Sequence, residues 1–444
     1  MTLPHAPSFR RTFDSLSIYN YRVFWIGQLI SISGTWMQST AQAWLVLKLT
    51  NSPFALGTVT VLQFLPITLL TLFGGVLADR LPKRLVVLTT QSVAAVQALV
   101  MAFLVYTGTV QLWEIYVLAL LLGVINAFDN PTRQAFVADM VGPDHLQNAI
   151  ALNSSLFNAA RIVGPAIAGL VIAVFGVSQA FLFNGLSFAP VIIALLMIKP
   201  EQLYDVVKPK RGTVFKQLAA GVRYAVSTRE VLLILSVMAV LGTFGYNFTT
   251  ILPLIARYVL HAPAVVFGAL TSAVGLGSLI AALGVASAGR TSLRVLLGAA
   301  AVFSIVLMTI GLSTSLPLTL VLLVVLGIAS IIFSASANTR LQLTTPPDLR
   351  GRVMSLYFLL FAGTTPIGSF LVGVLSERVG VPATIVLFGI ACLLGVAGAS
   401  VFAFKGRAAT PARTVSTSKI TTTSDAPVVA TTSTTGASRL SRTP

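Results

Sequence analysis

The chain has 444 residues, of which 56% are hydrophobic and only 9% charged, with a formal net charge of +17. Soluble domains carry about 25% charged residues, so this composition excludes an ordinary water-soluble protein, and its apolar content equally excludes a disordered chain. The single cysteine, Cys392, excludes an intrachain disulfide framework.

A helix crosses the hydrocarbon of a bilayer in about 20 mostly apolar residues. In chain order, residues 1–22 form an expected cytoplasmic segment, with Arg10, Arg11 and Arg22 but without the apolar stretch of a secretion signal. Apolar runs follow at 24–44, 54–77, 86–106, 115–133, 148–173 and 178–198, and these define an expected N-terminal half over 23–198. Residues 199–230 are hydrophilic and contain Lys208, Lys210 and Arg211; Val214, Leu218, Val222 and Ala225 then recur at helical spacing beside Lys216, Arg223 and Arg229. This spacing predicts a linker with an amphipathic helix on the inner membrane surface. Further runs at 231–256, 265–287, 293–313, 316–337, 353–376 and 383–403 define a C-terminal half over 231–404. Residues 405–444 are rich in Thr, Ser, Ala and Pro and predict a disordered cytoplasmic tail. Barrel strands would alternate over about ten residues. Continuous runs must be helices instead, because lipid offers the backbone no hydrogen-bond partner. The expected fold is an all-α membrane protein with twelve transmembrane helices in two six-helix halves.

Charge placement predicts the orientation. With the N-terminus inside, 25 of the 29 Lys and Arg residues fall in inner loops and termini, whereas the outer loops hold only Lys48, Arg257 and Arg378. Both termini are therefore expected in the cytoplasm. The basic character is a topology signal with attraction to anionic lipid, and no nucleic-acid partner is expected.

The halves repeat. At an offset of 204 residues Gly123 matches Gly327, Pro143-Asp144 matches Pro347-Asp348, Gly164 matches Gly368, and Gly176-Val177 matches Gly380-Val381. At an offset of 210, Gly74, Arg80 and Arg84 match Gly284, Arg290 and Arg294. Duplicated halves imply alternating access, with a site near the bilayer midplane at their interface.

Residues 75–84 read Gly75-Val76-Leu77-Ala78-Asp79-Arg80-Leu81-Pro82-Lys83-Arg84. This stretch resembles the signature G-x-x-x-D-R-x-G-R-R of the major facilitator superfamily, with Pro82 where glycine is usual. Arg161, Gly164, Pro165 and Gly169 lie in a stretch similar to the G-P-x-x-x-G part of the antiporter motif. Gly34-Thr35-Trp36-Met37-Gln38, Pro131-Thr132-Arg133-Gln134-Ala135-Phe136 and Arg350 to Tyr357 resemble the branch of enterobactin-exporter-like permeases, the transmembrane secretion effectors. The resemblance implies a conformational latch made of Gly75, Asp79, Arg80, Lys83, Arg84 and Asp129. In it Asp79 would cap the helix starting near Val353, and Arg80 or Arg84 would pair with Asp129. The alternative is a basic loop that only sets topology.

Arg161 is the one charge deep within a run, and burying it costs on the order of 2.5–3.5 kcal/mol. Two readings stay open: a structural Arg bonded to carbonyls or amides, or a contact for an anion within a coupling network. Ser31, Thr35, Gln38 and Gln42 share one face of the first run, and Thr243, Asn247 and Thr250 share a face of the seventh with Tyr246 beside them. Gln63, Asn158, Ser330, Ser334 and Asn338 are further polar positions within runs. The resemblance implies a substrate cavity lined by Thr35, Gln38, Gln42, Gln63, Asn158, Arg161, Thr243, Tyr246 and Asn247. The alternative is hydrogen bonding between helices, which averages only about 0.6 kcal/mol per pair.

No nucleophile with a base, Cys/His cluster or phosphate-cradling loop occurs in the sequence, so no enzyme activity, cofactor or metal is expected. Proton antiport is implied by the resemblance alone, since Glu114, Asp129 and Asp139 all lie towards run ends. The expected function is efflux of a small amphipathic molecule of drug, macrolide or siderophore type across the plasma membrane, by a monomer embedded in the bilayer. The alternatives are an importer or uniporter, and a non-transporting receptor or scaffold on the same fold.

Overall fold

Lipid satisfies no backbone group, and the apolar runs accordingly fold as helices, with no strand among the described residues. The computed structural model describes residues 13–204, 214–288 and 292–405, with side chains described throughout except at 72, 75–80, 214–218, 286–288 and 404–405. The expected tail beyond 405, residues 1–12, the basic run 208–211 and Arg290 lie outside the described residues.

The helices are α1 (Tyr19–Thr50), α2 (Pro53–Arg80), α3 (Lys83–Thr107), α4 (Leu112–Phe175), α5 (Val177–Met197), α6 (Val214–Ser227), α7 (Arg229–Val240), α8 (Phe248–Leu254), α9 (Ala264–Ala288), α10 (Leu293–Leu312), α11 (Leu316–Thr344), α12 (Pro347–Ala362), α13 (Thr365–Val379) and α14 (Val381–Lys405). Single π turns at Leu241–Gly245 and Ile255–Val259 flank α8. Among the described residues, ten helical runs are long and apolar enough to cross a membrane. The 32-residue α1 is not among the ten, although at 1.5 Å per residue it spans about 48 Å. Its buried Gln28, Ser31, Gln38, Thr40 and Gln42 lower its hydropathy.

At 64 residues, α4 would be about 96 Å long if straight, three times the hydrocarbon thickness. It bends instead at Gly142, whose φ of 67° and ψ of 178° leave the helical path. Glycine takes that positive φ without steric cost, and Pro143 suits the first position of the returning arm. The Tyr204 ring packs over the bend, and its N–H donates to the Asp139 carbonyl at 2.8 Å.

Helices α1 to α5 pack on one another, as do α7 and α9 to α14. The two groups meet mainly where α2 packs on α13 and α4 on α9. The sequence repeat reappears as equivalent contacts. Gly123 brings α4 against the Gln63 carbonyl of α2, and Gly327 brings α11 against the Val274 carbonyl of α9. Gly164 lets α4 approach Ser33 and Trp36 of α1, and Gly368 lets α13 approach Thr243 and Asn247. A Cβ at any of the four would overlap its neighbour.

The core is asymmetric along the bundle. At the end near Asn51, apolar residues of the first group such as Leu47, Leu56, Ile115 and Phe181 merge with Leu254, Phe303 and Leu326 of the second. At the end near Lys83, a separate cluster around Phe24, Phe136, Met140 and Phe188 belongs to the first group alone. The amphipathic pattern over 213–229 does form a helix, α6, which packs on α12 with Gly221 against Arg352 and donates from the Tyr224 hydroxyl to the Thr344 carbonyl at 3.2 Å.

These contacts generate a paired test. Gly123→Ala and Gly327→Ala are each expected to destabilise by about 1–3 kcal/mol, the usual cost of overpacking. Gly298→Ala, whose Cβ would meet open space, is expected to be neutral. Thermal denaturation of the detergent-solubilised variants checks this.

Candidate functional site

Where the two groups converge, α1, α2, the second arm of α4, α8, α9, α11 and α12 enclose a chamber of about 290 Å³. Its wall is aromatic, with Trp36, Phe64, Phe157, Tyr246, Phe248 and Phe361, and is dotted with hydroxyls such as Thr40, Thr271 and Ser334. Tyr246 follows the π turn at Leu241–Gly245, which offsets the chain before α8 begins. Its hydroxyl donates to the Ser330 carbonyl at 3.0 Å, and its ring stacks on Phe303 at 5.3 Å and meets the Phe361 ring edge-on at 5.0 Å. Arg161 also lines this chamber, half-buried, with no hydrogen bond or ion pair among the described residues. Among the described residues, no carboxylate shares the wall.

A second cavity, of about 610 Å³, opens between α1 and both arms of α4 towards the Lys83 end. Amides line this vestibule: Gln28, Asn130, Gln134, Asn153 and Asn158. Phe157 belongs to both cavities and contacts the Trp36 ring at 5.7 Å, edge to face. This aromatic pair separates vestibule from chamber.

A buried charge pair borders the vestibule. The Asp129 carboxylate accepts from Thr90 Oγ1 at 2.7 Å and Gln91 Nε2 at 3.0 Å, and lies 3.3 Å from Arg133 Nε one turn along. Arg133 also donates to Gln28 Oε1 at 2.8 Å and Asn130 Oδ1 at 2.9 Å. A buried ion pair needs such additional hydrogen bonds to offset desolvation. The Gln28 Nε2, also buried, has no hydrogen-bond partner.

Several residues sit elsewhere than the sequence reading placed them. Arg84 does not reach Asp129: it donates to the Leu195 and Leu196 carbonyls at 2.7 and 3.0 Å, satisfying the C-terminal end of α5. Lys83 pairs with Asp139 at 2.5 Å. The side chains of Asp79 and Arg80, and the surroundings of Gly75, lie outside the described residues. The stripe on α1 faces away from the chamber. Gln38 donates to Gln97 Oε1 at 3.0 Å and accepts from Asn184 Nδ2 at 2.6 Å, Ser31 donates to Gln91 Oε1 at 3.4 Å, and Thr35 donates to the Ser31 carbonyl at 2.9 Å. Gln42 is buried on α1 without lining the chamber. The physical reason is that α1 is packed on more than one side, so helical periodicity identifies a polar face but not its neighbour. Trp36, Ser39 and Thr40 occupy the chamber instead.

Gln63 is half-buried on α2 and does not line the chamber. Asn158 lines the vestibule, and Arg161 and Tyr246 line the chamber. Asn247 donates to the Thr243 carbonyl at 2.7 Å and, buried, faces Ser369; Thr250 links Thr60 of α2 at 3.2 Å to Ser369 of α13 at 3.0 Å. Of this stripe, Thr250 reaches across the junction between the groups. Gly164, Pro165 and Gly169 pack against α1 and α9: Pro165 presents its carbonyl to Gly268, and Gly169 lies against Val265. Asn338 accepts from Gln342 at 2.6 Å. The vestibule pair Gln28 and Arg133 was missed, although the Asp129 to Arg133 spacing of four residues is itself a signal for a helical ion pair.

The transmembrane secretion effector model matches residues 10–432. The chain is 24% identical to the staphyloferrin A transporter of Staphylococcus aureus, over 84% of this chain and 93% of the relative. It is 28% identical to the multidrug efflux pump Tap of Mycolicibacterium fortuitum, over 82% and 90%, and 23% identical to macrolide efflux protein A of Streptococcus pyogenes, over 81% and 90%. Among solved structures, the nucleoside transporter NupG superposes with a TM-score of 0.68 at 11% identity, covering 87% of this chain and 99% of that one. A POT family transporter gives the same score at 12% identity, over 88% and 96%, so both share the fold. With the family model spanning almost the whole described structure, the chain belongs to the transmembrane secretion effectors of the major facilitator superfamily.

Proposed function

We propose that the chain exports a small amphipathic molecule across the plasma membrane by alternating access, and that the structure is its inward-facing, loading state. The observation that carries this reading is the asymmetric closure of the interface. Apolar packing and the Thr60–Thr250–Ser369 cluster join the groups at the Asn51 end, while the vestibule leads from the Lys83 end to the chamber. Lys83, Arg84, Arg133 and Arg340 gather at that second end, and the positive-inside rule makes it cytoplasmic, with both termini. A chamber open there and shut opposite receives cargo from the cytoplasm.

We read the fold as twelve spans. The bent α4 supplies two spans, and α1 adds one whose polar side chains lower its hydropathy, to the ten apolar runs. Residues 23–198 and 231–404 are then two six-helix halves, with residues 199–230 as their linker. The relatives are named for staphyloferrin A, multiple drugs and macrolides, and the aromatic, hydroxyl-dotted chamber suits a small molecule with apolar and polar faces. With vestibule and chamber joined, the volume lies in the range of about 300–1,000 Å³ usual for ligand sites. The functional unit is a monomer, as the chamber is complete within one chain.

Inverted membrane vesicles test export. Radiolabelled erythromycin, tetracycline and staphyloferrin A are offered with and without an inside-acid proton gradient. Accumulation of at least one, above vesicles lacking the chain, is the expected outcome, and collapse on dissipating the gradient identifies proton antiport. Absence of accumulation for all three rejects this reading.

The latch is tested at Asp79. A carboxylate on a helix N-terminus contributes about 0.3–2 kcal/mol. Asp79→Asn is therefore expected to slow transport by up to about tenfold and to shift cysteine labelling between the two mouths, while membrane insertion is unchanged. Parental transport and labelling would show that the loop sets topology only.

A further inference from the structure

We propose that the chamber selects cargo carrying an acidic group, held by Arg161, beside an aromatic or otherwise flat apolar body held by the ring walls. The inference rests on the chamber being a cargo site and adds the charge class of what it takes.

The first observation is the state of the guanidinium. Arg161 lies in the second arm of α4, half-buried, with no hydrogen bond or ion pair among the described residues. The structural reading of such an Arg requires acceptors around its five N–H donors. The chamber hydroxyls accept no hydrogen bond from it among the described residues: Tyr246 donates to the Ser330 carbonyl, Thr40 to the Trp36 carbonyl and Thr271 to the Phe267 carbonyl. The guanidinium thus faces a cavity with its donors uncommitted.

The second observation is what the cavity lacks. Among the described residues, no Asp or Glu lines its wall. Asp129, the buried carboxylate of the first group, is bonded to Thr90, Gln91 and Arg133 and lines neither cavity. A permanent cation entering the chamber would therefore meet a like charge with no compensating carboxylate, in surroundings where water screens little. A carboxylate, sulfonate or phenolate would instead receive charge-assisted hydrogen bonds in the planar geometry that guanidinium favours.

The third observation is the route. The vestibule is lined by Arg133 and by the amide side chains of Gln134, Asn153 and Asn158, on the cytoplasmic side of the Phe157–Trp36 pair. Asn158, which lines the vestibule, and Arg161 are three residues apart on α4, about 4.5 Å along its axis. An acidic group passes from one set of donors to the next while its apolar body slides across the aromatic pair.

A charge series tests this directly. The protein in lipid nanodiscs is titrated calorimetrically, with empty discs subtracted, against dansylglycine, dansylglycinamide and dansylcholine, which share a ring system and are anionic, neutral and permanently cationic. Dansylglycine is expected to bind about tenfold more tightly than dansylcholine, a difference of about 1.4 kcal/mol. Arg161→Gln is expected to abolish that preference, and Arg161→Lys to retain part of it. Ser334→Asp, which places a carboxylate in the same chamber, is expected to turn the preference towards dansylcholine, and it keeps the test decisive if Arg161→Gln does not fold. No preference in the parent, binding of none of the three, a preference that survives in folded Arg161→Gln, or no turn in folded Ser334→Asp overturns the proposal. The assay needs no flux. Loss of the charge preference with export intact therefore overturns this inference alone, and intact preference without export overturns the transport reading alone.

Discussion

Close backbone contact at one end of the bundle governs the rest of this structure. Lipid tails are as apolar as the helix surfaces, so the hydrophobic effect gives helices little reason to associate, and van der Waals packing between small residues must do it. Gly57 against Ser369 and Gly373, and Gly169 and Gly268 against their opposite helices, bring α2 onto α13 and α4 onto α9. These contacts draw the first group's outer core into that of the second, while the cluster around Phe24 and Phe136 is left to its own group. The vestibule lies on the first group's side of that arrangement, between α1 and the two arms of α4.

The polar residues divide the same way. Within the first group, Ser31 and Gln38 of α1 bond Gln91 and Gln97 of α3 and Asn184 of α5, which ties these three helices together. Between the groups, hydrogen bonds among the described residues run from Thr250 to Thr60, from Ser272 to the Ile162 carbonyl, from Tyr258 to the Asn51 carbonyl, and from the Ser52 hydroxyl and the Phe54 N–H to Glu377. Hydrogen bonds of this kind are worth little individually in a membrane, so the interface can be broken and remade. Charged pairs such as Lys83 with Asp139 and Asp129 with Arg133 stay inside the group that is expected to move as one body.

Much of the architecture was legible in the sequence because lipid leaves few choices. Run length gave the helices, and the 204-residue repeat anticipated contacts as specific as Gly123 with α2 and Gly327 with α9. The candidate site was less legible. Arg161 and Tyr246, which line the chamber, stand out in the sequence as a deep charge and a polar aromatic within apolar runs. Gln38 and Gln42 were misplaced because a helix buried on several sides has no face marked for the cavity. Trp36 and Phe157 went unassigned as walls because an aromatic residue reads alike in a core, a lipid face and a gate. Only the three-dimensional neighbours separate these cases. Arg84 illustrates the same limit, since a cation near a helix end has carbonyl acceptors that no charge pattern reveals.

Arg161 and Arg133 carry the same side chain on two arms of one helix, yet they are in opposite situations. Arg133 has a buried carboxylate four residues away and two amide acceptors, and removing Asp129 would leave it an uncompensated cation. Arg161 has no protein acceptor among the described residues, so the desolvation that comes with its depth is not offset by the fold. A group in that position is stabilised by whatever enters the chamber. An anionic cargo would relieve the guanidinium on arrival, and closing the Lys83 end around an unneutralised Arg161 would deepen its desolvation. The proposed charge selector would then also disfavour closure of that end on an empty chamber, which ties recognition to the conformational cycle through a single side chain.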